Sequence, residues 1–165
     1  MPEITDPREL FFHELGDILY VEQKLANEVL PKLIEEVSDQ EFKQGLERHL
    51  KQTRGHIDNV EKVFKRFGEA PKAEECIGFE GLKREYEELS GESSAALIDL
   101  LAAGAAARTE HYEIAAYEGL RRMAKALGDN PSVDLLDANL KQEKETLKEV
   151  EKITTRLNKE GAAIS

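Results

Sequence analysis

The chain is poor in three things, and each shortage excludes a class of protein. Cysteine occurs once, at Cys76, among 165 residues. No intrachain disulfide can form, which fits a reducing compartment, so a cytoplasmic location is expected. Cys76 falls in a connection rather than on a helix seam and reads as incidental. Long apolar runs are missing. No stretch approaches the roughly 20 residues needed to span a bilayer, and Met1 to Glu9 is polar and charged, with no signal-peptide core. Positive charge is in deficit, with 23 Lys and Arg against 34 Asp and Glu and a net charge of −11. Such a surface repels phosphate backbones and anionic lipid, so neither nucleic-acid nor membrane partners are expected.

What is present is an amphipathic composition, 40% apolar and 35% charged, in a length that suits one domain over 1–165. The first helix starts after Asp6-Pro7, with Asp6 as the cap and Pro7 in the first turn. It runs past Pro31, which is expected to kink it or end its regular part. Val37-Ser38-Asp39 is a break, and Ser38 or Asp39 caps a second helix that ends near Phe67-Gly68. Glu69 to Ser90 is a long connection containing a short helix over Leu82 to Leu89. The third helix runs from Ser93-Ser94 to Leu127-Gly128. After the turn Asp129 to Ser132, a fourth helix opens at Pro131 or Ser132 and ends near Asn158, and Gly161 to Ser165 is a frayed tail. Short turns make each helix pair antiparallel. The long connection carries the chain back, so the third helix runs parallel to the second. The expected fold is all-α: a ferritin-like four-helix bundle with one long crossover, between helices two and three, carrying a short extra helix.

Each helix has an apolar seam with steps of three and four residues, the spacing that keeps side chains on one face. Each seam is interrupted near its middle by a polar side chain able to bind metal. The first reads Phe11, Leu15, Ile18, Glu22, Leu25, Val29. The second reads Phe42, Leu46, His49, Thr53, His56, Val60. The third reads Ala103, Ala106, Glu110, Glu113, Tyr117, Leu120. The fourth reads Val133, Leu136, Leu140, Glu143, Leu147, Val150. A carboxylate at a core position is costly unless something neutralises it. Recurrence at similar depth on every helix points to a shared centre.

Dinuclear iron and manganese sites in bundles take inward Glu and His side chains from all four helices, two of which carry Glu-x-x-His. The candidate metal ligands are therefore Glu22, His49, His56, Glu110, Glu113 and Glu143. Glu110-His-Tyr-Glu113 is the most specific element. Its two carboxylates sit one turn apart on an Ala-rich face, where without a cation they repel and at least one binds a proton. With helices two and three parallel, His56 lies at the depth of Glu113 and would share its metal. His49 would sit one turn above, behind the ligands. His111, off the seam, and His13, near an end, read as structural. Tyr20, Tyr112 and Tyr117 lie near the same depth, as core aromatics whose hydroxyls need partners. The bland alternatives are a solvent-facing or subunit-facing edge for Glu110 and Glu113, and salt bridges from Glu22 and Glu143 to Arg54, Arg108 or Lys144.

The segment Leu15-Gly-Asp-Ile-Leu-Tyr-Val-Glu-Gln-Lys-Leu25 resembles the first-helix signature of the YciE/YciF family of ferritin-like bacterial proteins. Further matches are His49-Leu50 with Thr53, Cys76-Ile-Gly-Phe-Glu-Gly-Leu82, Glu110-His-Tyr-Glu-Ile-Ala115 with Tyr117, and Glu143-Lys144. The resemblance covers nearly the whole chain. It implies a ferritin-like fold, homodimers and a link to bacterial stress responses. Glu110 and Glu113 also resemble the paired glutamates on the third helix of rubrerythrins. Two departures stand out: Gln52 occupies a position where relatives commonly have Glu, and the fourth helix has Glu143-x-x-Thr146 in place of a His. Losing those ligands leaves one metal, a weakly held pair, or none.

Two functions follow. The first is a protein holding Fe or Mn, as a dinuclear centre, that acts on peroxide or oxygen or oxidises Fe(II). Its site would be small and dry, excluding larger substrates. The second is a non-catalytic structural or stress-protective bundle with a vestigial or empty site. The alanine-rich flank around Ala95, Ala96 and Ala102 to Ala105 is a candidate for close packing between subunits.

Overall fold

The computed structural model describes residues 3–162, and every regular element among them is a helix. Helix α1 spans Pro7–Lys24. A π-helical turn, Leu25–Val29, joins it to α2, Leu30–Glu36. Then come α3, Gln40–Arg66, and α4, Ile77–Glu92. A 3-10 turn, Ala95–Leu97, opens α5, Ile98–Ala126, and α6 spans Asn130–Ala162. Helix starts follow local chemistry. Asp6 accepts from the Arg8 and Glu9 amides with Pro7 in the first turn, and Asp39 accepts from the Phe42 amide at 2.9 Å. Helices α3 and α5 are followed by Gly68 and Gly128 at φ of 77° and 80°, a left-handed conformation that only glycine adopts without cost.

Directions follow from contacts at the helix ends. Phe11 at the start of α1 packs against Phe67 just past α3, with tilted rings whose centroids are 5.4 Å apart, so α1 and α3 run opposite. Arg66 meets Asp129 at 2.7 Å and Arg156 meets Asp39 at 2.7 Å, which opposes α3 and α6. Lys144 with Glu118 and Arg121 with Asp137 oppose α5 and α6. Asp99 accepts from the Ser38 and Asp39 amides at 2.8 and 3.0 Å, so α3 and α5 begin at the same end. Helix α1 touches α3 and α5, and α6 touches the same two. The four long helices thus enclose one core, and α4 lies along α5. No helix among the described residues is long and apolar enough to cross a membrane.

Several sequence expectations shift. The first helix runs past Pro31, as expected, but its regular part is interrupted ahead of that proline, by the π-turn Leu25–Val29. The Leu30 amide bonds to the Leu25 carbonyl. One extra residue per turn then moves the buried position from Val29 to Leu30. Helix α4 is twice as long as the Leu82 to Leu89 stretch and begins at Ile77, with Cys76 as its N-cap residue. Cys76 is buried rather than incidental, with its sulfur 2.9 Å from the Tyr112 hydroxyl. Helix α6 continues through Gly161 to Ala162, and the rest of the expected tail, 163–165, lies outside the described residues. Ala102 and Ala103 are fully buried within the chain, so they cannot serve a subunit face.

The segment after α3 lies directly on α1. The Glu74 amide donates to the Gly16 carbonyl at 3.0 Å. A Cβ at Gly16 would fall 2.9 Å from both the Lys72 carbonyl oxygen and Glu74 Cγ. Alanine normally stabilises a helix interior over glycine, but a backbone oxygen cannot swing aside. Gly16→Ala is therefore expected to cost about 1–3 kcal/mol by overpacking, read as a lower urea midpoint. An unchanged or raised midpoint would show that this contact yields easily.

Candidate metal centre

All six predicted ligands point into the core. Glu22, Glu113 and Glu143 are fully buried, and His56, Glu110 and His49 are 1%, 3% and 4% exposed. Their ligand atoms form two groups, within each of which the atoms lie no more than 4.8 Å apart: His49, Glu110, Glu113 and Glu143, and Glu22, His56 and Glu143. Glu143 belongs to both. The axial offset between α3 and α5 reverses the expected histidine assignment. His49, not His56, joins Glu113, and it is no longer behind the ligands: its Nε2 lies 3.2 Å from Glu110 Oε1.

The exposed-edge alternative for Glu110 and Glu113 does not describe what is seen, and the salt bridge across the seam expected for Glu22 and Glu143 is made by His56 rather than by Arg108 or Lys144. Glu110 and Glu113 face the interior, and the basic residues pair elsewhere, Lys144 with Glu118 at 2.7 Å and Arg108 with Glu85 at 3.2 Å. The nearest counter-charge is His56, whose Nδ1 is 2.8 Å from Glu143 Oε1 and 3.2 Å from Glu22 Oε1. These atoms converge without hydrogen-bond alignment. Glu22 Oε2, His56 Nδ1, Glu110 Oε2 and both oxygens of Glu113 and Glu143 are buried with no hydrogen-bond partner. Native interiors carry only a few such groups, and each costs about 1–3 kcal/mol when left unpaired. A cluster of them suits a cation.

The surrounding side chains hold this arrangement from outside. His56 Nε2 is 2.8 Å from Gln142 Oε1, an acceptor that leaves Nδ1 facing the centre. Thr146 stands 3.4 Å behind His49 Nδ1 and 3.5 Å from Gln52 Oε1. The two positions that depart from the family pattern therefore contact each other beside a ligand rather than supplying ligands. Tyr117 donates to Glu22 Oε1 and accepts from Asn139 at 3.0 Å. Asn139 carries no signal in the periodicity, since amides are common on helix surfaces. Tyr20 and Tyr112 bond outside the centre, to Glu80 and Cys76. His13 is 2.7 Å from Glu74 and, with nearby Asp17, clasps the post-α3 segment to α1. His111 is exposed.

Electrostatics follow from burial. Burial raises the pKa of Glu110 and Glu113 well above the usual carboxylate value, and the charge of Glu143 adds to it. Burial also raises Glu22. For His56, burial opposes charging, but Glu22 and Glu143 outweigh it and push the pKa up to about 11. Glu143 feels the same burial, yet contact with His56 and the charge of His49 hold it below the ordinary value. Burial lowers His49. Without metal, these shifts favour a His56–Glu143 ion pair beside protonated Glu110 and Glu113.

A family model described as a domain of unknown function, DUF892, matches residues 6–163. Protein YciF of Escherichia coli (strain K12) is 31% identical over 140 residues, covering 84% of each chain. Two solved structures are similar at a TM-score of 0.87. One is YcfI from Rhodopseudomonas palustris, described as a candidate structural protein, at 34% identity over 91% of this chain and 96% of that one. The other is the crystal structure of the E. coli stress protein YciF, at 29% identity over 94% and 99%.

Proposed function

The chain belongs to the DUF892 family and is YciF-like, and we propose that it is a ferritin-like carboxylate protein binding two Fe or Mn ions. The observation that carries this is the set of buried, unpartnered ligand atoms converging in two groups that share Glu143. The donor set suits such ions: hard carboxylate oxygens with one imidazole per group. Four carboxylates match the charge of two divalent cations. Fold supports the same reading, since two antiparallel helix pairs joined by one long crossover are the ferritin-like arrangement. On this reading 1–165 is one domain. Glu143 would serve both ions, with Glu22 and His56 completing one site and Glu110, Glu113 and His49 the other. Bound Fe or Mn would supply one-electron redox chemistry toward peroxide, oxygen or Fe(II). The protein's own part is to exclude bulk water, to fix the ligands through Gln142 and Tyr117, and to release carboxyl protons as cations enter. The expected partners are a small-molecule oxidant and a second copy of the chain, in the cytoplasm.

A second reading keeps the fold and drops the chemistry: a structural or stress-protective protein. Gln52 and Thr146 favour it, as do the descriptions of YcfI as a candidate structural protein and of YciF as a stress protein. Elemental analysis separates the two, on protein purified without chelator or affinity metal, beside Glu110→Ala. About one to two Fe or Mn per chain, reduced in the variant and accompanied by peroxide consumption or Fe(II) oxidation, is expected. Metal without turnover under any donor would end the catalytic part. No metal, even after anaerobic reconstitution, would leave the structural reading.

A further inference from the structure

The sequence suggested a small closed site, but a cavity of about 220 Å³ adjoins it. Its walls are apolar: Leu33 from α2, Phe42 and Leu46 from α3, Phe79 from α4 and Ile153 from α6. Ala105 and Ala106 of α5 make the space, since a larger side chain at either would fill it. The floor is polar. His49 and Glu110 border it, and Glu110 Oε2 is buried with no partner. Exposed Glu28, Lys32 and Glu149 also line it, so it opens to the surface. The π-turn supplies Leu25 and Val29 to the same wall, and helix α4 covers one side. A π-turn inside an α-helix often marks a functional site.

We infer that this chamber binds a neutral, mainly apolar organic molecule of about six to eight carbons with one hydroxyl group, seated against the His49–Glu110 edge of the metal centre. Size sets the lower end of the range: an engineered apolar cavity of about 150 Å³ holds benzene, and this one is larger. Peroxide or oxygen alone needs no such space. The walls supply apolar contact area, and the single polar end supplies orientation, as in most small-molecule sites. A hydroxyl can donate to the unpartnered Glu110 oxygen. An anionic head group is disfavoured, because the acids at the opening, Glu28, Glu87 and Glu149, outnumber Lys32 and Lys83. This inference rests on the proposed metal centre only for what lies at the chamber floor. The chamber itself is present in the chain.

The test uses 1-hexanol as probe and hexanoate as its anionic counterpart. Binding is measured by calorimetry on metal-free, Zn(II)-loaded and Mn(II)-loaded protein. In the Mn(II) form, paramagnetic relaxation of the probe's protons is read by NMR against Zn(II) as reference. One equivalent of hexanol is expected to bind, with enhanced relaxation in the Mn(II) form. Hexanoate is expected to bind at least about tenfold more weakly, the factor that about 1.4 kcal/mol of charge repulsion produces. Ala106→Phe should abolish probe binding while leaving metal content unchanged, and Ala106→Leu should weaken it if the larger ring disturbs folding. No hexanol binding, equal binding by hexanoate, or undiminished binding in both variants would overturn the inference. Probe binding by a chain that takes up no metal would instead overturn the metal-centre reading and leave the chamber standing.

Discussion

Metal-free protein carrying Glu113→Leu is expected to be more stable than the parent by about 1–3 kcal/mol, the cost of a buried polar group left unpaired. Glu113 is fully buried, and neither of its oxygens has a hydrogen-bond partner. Every influence on its carboxyl raises the pKa: burial first, then Glu143, Glu22 and Glu110. Nothing in the metal-free chain favours its charged form. Leucine removes the penalty at similar volume. For a chain of this size the gain corresponds to a rise in Tm of about 2–12 °C. The same variant should lose the His49–Glu110–Glu113–Glu143 cation. Stability gained as metal uptake is lost is the signature of a site held under strain for function.

The pH dependence carries the same sign. A carboxyl with a raised pKa keeps its proton in the folded state where the unfolded chain has released it. Stability then falls as pH rises from about 4.5 toward the folded pKa. Glu110 and Glu113 both act this way. His56, raised to about 11, adds stability that is fully present below 6.5 and lost as pH climbs through the folded value. Glu143, with its lowered pKa, acts oppositely, and only below 4.5. His49, whose pKa burial lowers, opposes this only up to about pH 6.5, so metal-free protein should lose stability above that pH, with a shallower slope in Glu113→Leu. Urea midpoints across that range read this directly, and a flat or rising profile would place the carboxyls in a wetter environment than the geometry indicates.

Cation stoichiometry gives the second large effect. Glu143 is shared by both groups, whereas Glu22 serves one. Glu143→Ala is expected to retain no metal. Glu22→Ala is expected to retain a single ion on His49, Glu110, Glu113 and Glu143. Loading the parent with Mn(II) at a thousandfold excess over Kd should stabilise it by about 4 kcal/mol per independent site. That shift should vanish in Glu143→Ala and persist in part in Glu22→Ala. Metal titration with calorimetric Tm measurement checks both. Full metal content in Glu143→Ala would remove the bridge from the model of the centre.

Much of this was legible in the chain because helices report their buried face at every three to four residues. All six candidate ligands were found that way, and all six are buried. Phe11, Leu46 and Leu136 likewise sit in the core where their spacing placed them. The π-turn was not legible. Pro31 announced a disturbance, but whether a chain breaks, bends or takes up one extra residue depends on what the following turn must bury. Here that is Leu30 and Leu33. Ligand grouping was not legible either. Periodicity places a residue around its own axis and says nothing about how far neighbouring helices slide past one another, so His49 and His56 could be ranked only against the wrong partners.

The sequence by itself determined the all-helical class and the polar residues that the core must accept, because each follows from composition or from spacing along one helix, and its motifs carried the resemblance to the YciF-like family. Only the tertiary structure decided that Glu143 is common to both side-chain groups, that Tyr117, Asn139 and Gln142 brace Glu22 and His56, and that an apolar chamber meets His49 and Glu110. Those are relations between helices. They depend on axial offset, on the Gly16 contact that seats the post-α3 segment, and on small side chains such as Ala106 facing empty space. A single strand of sequence does not encode them locally.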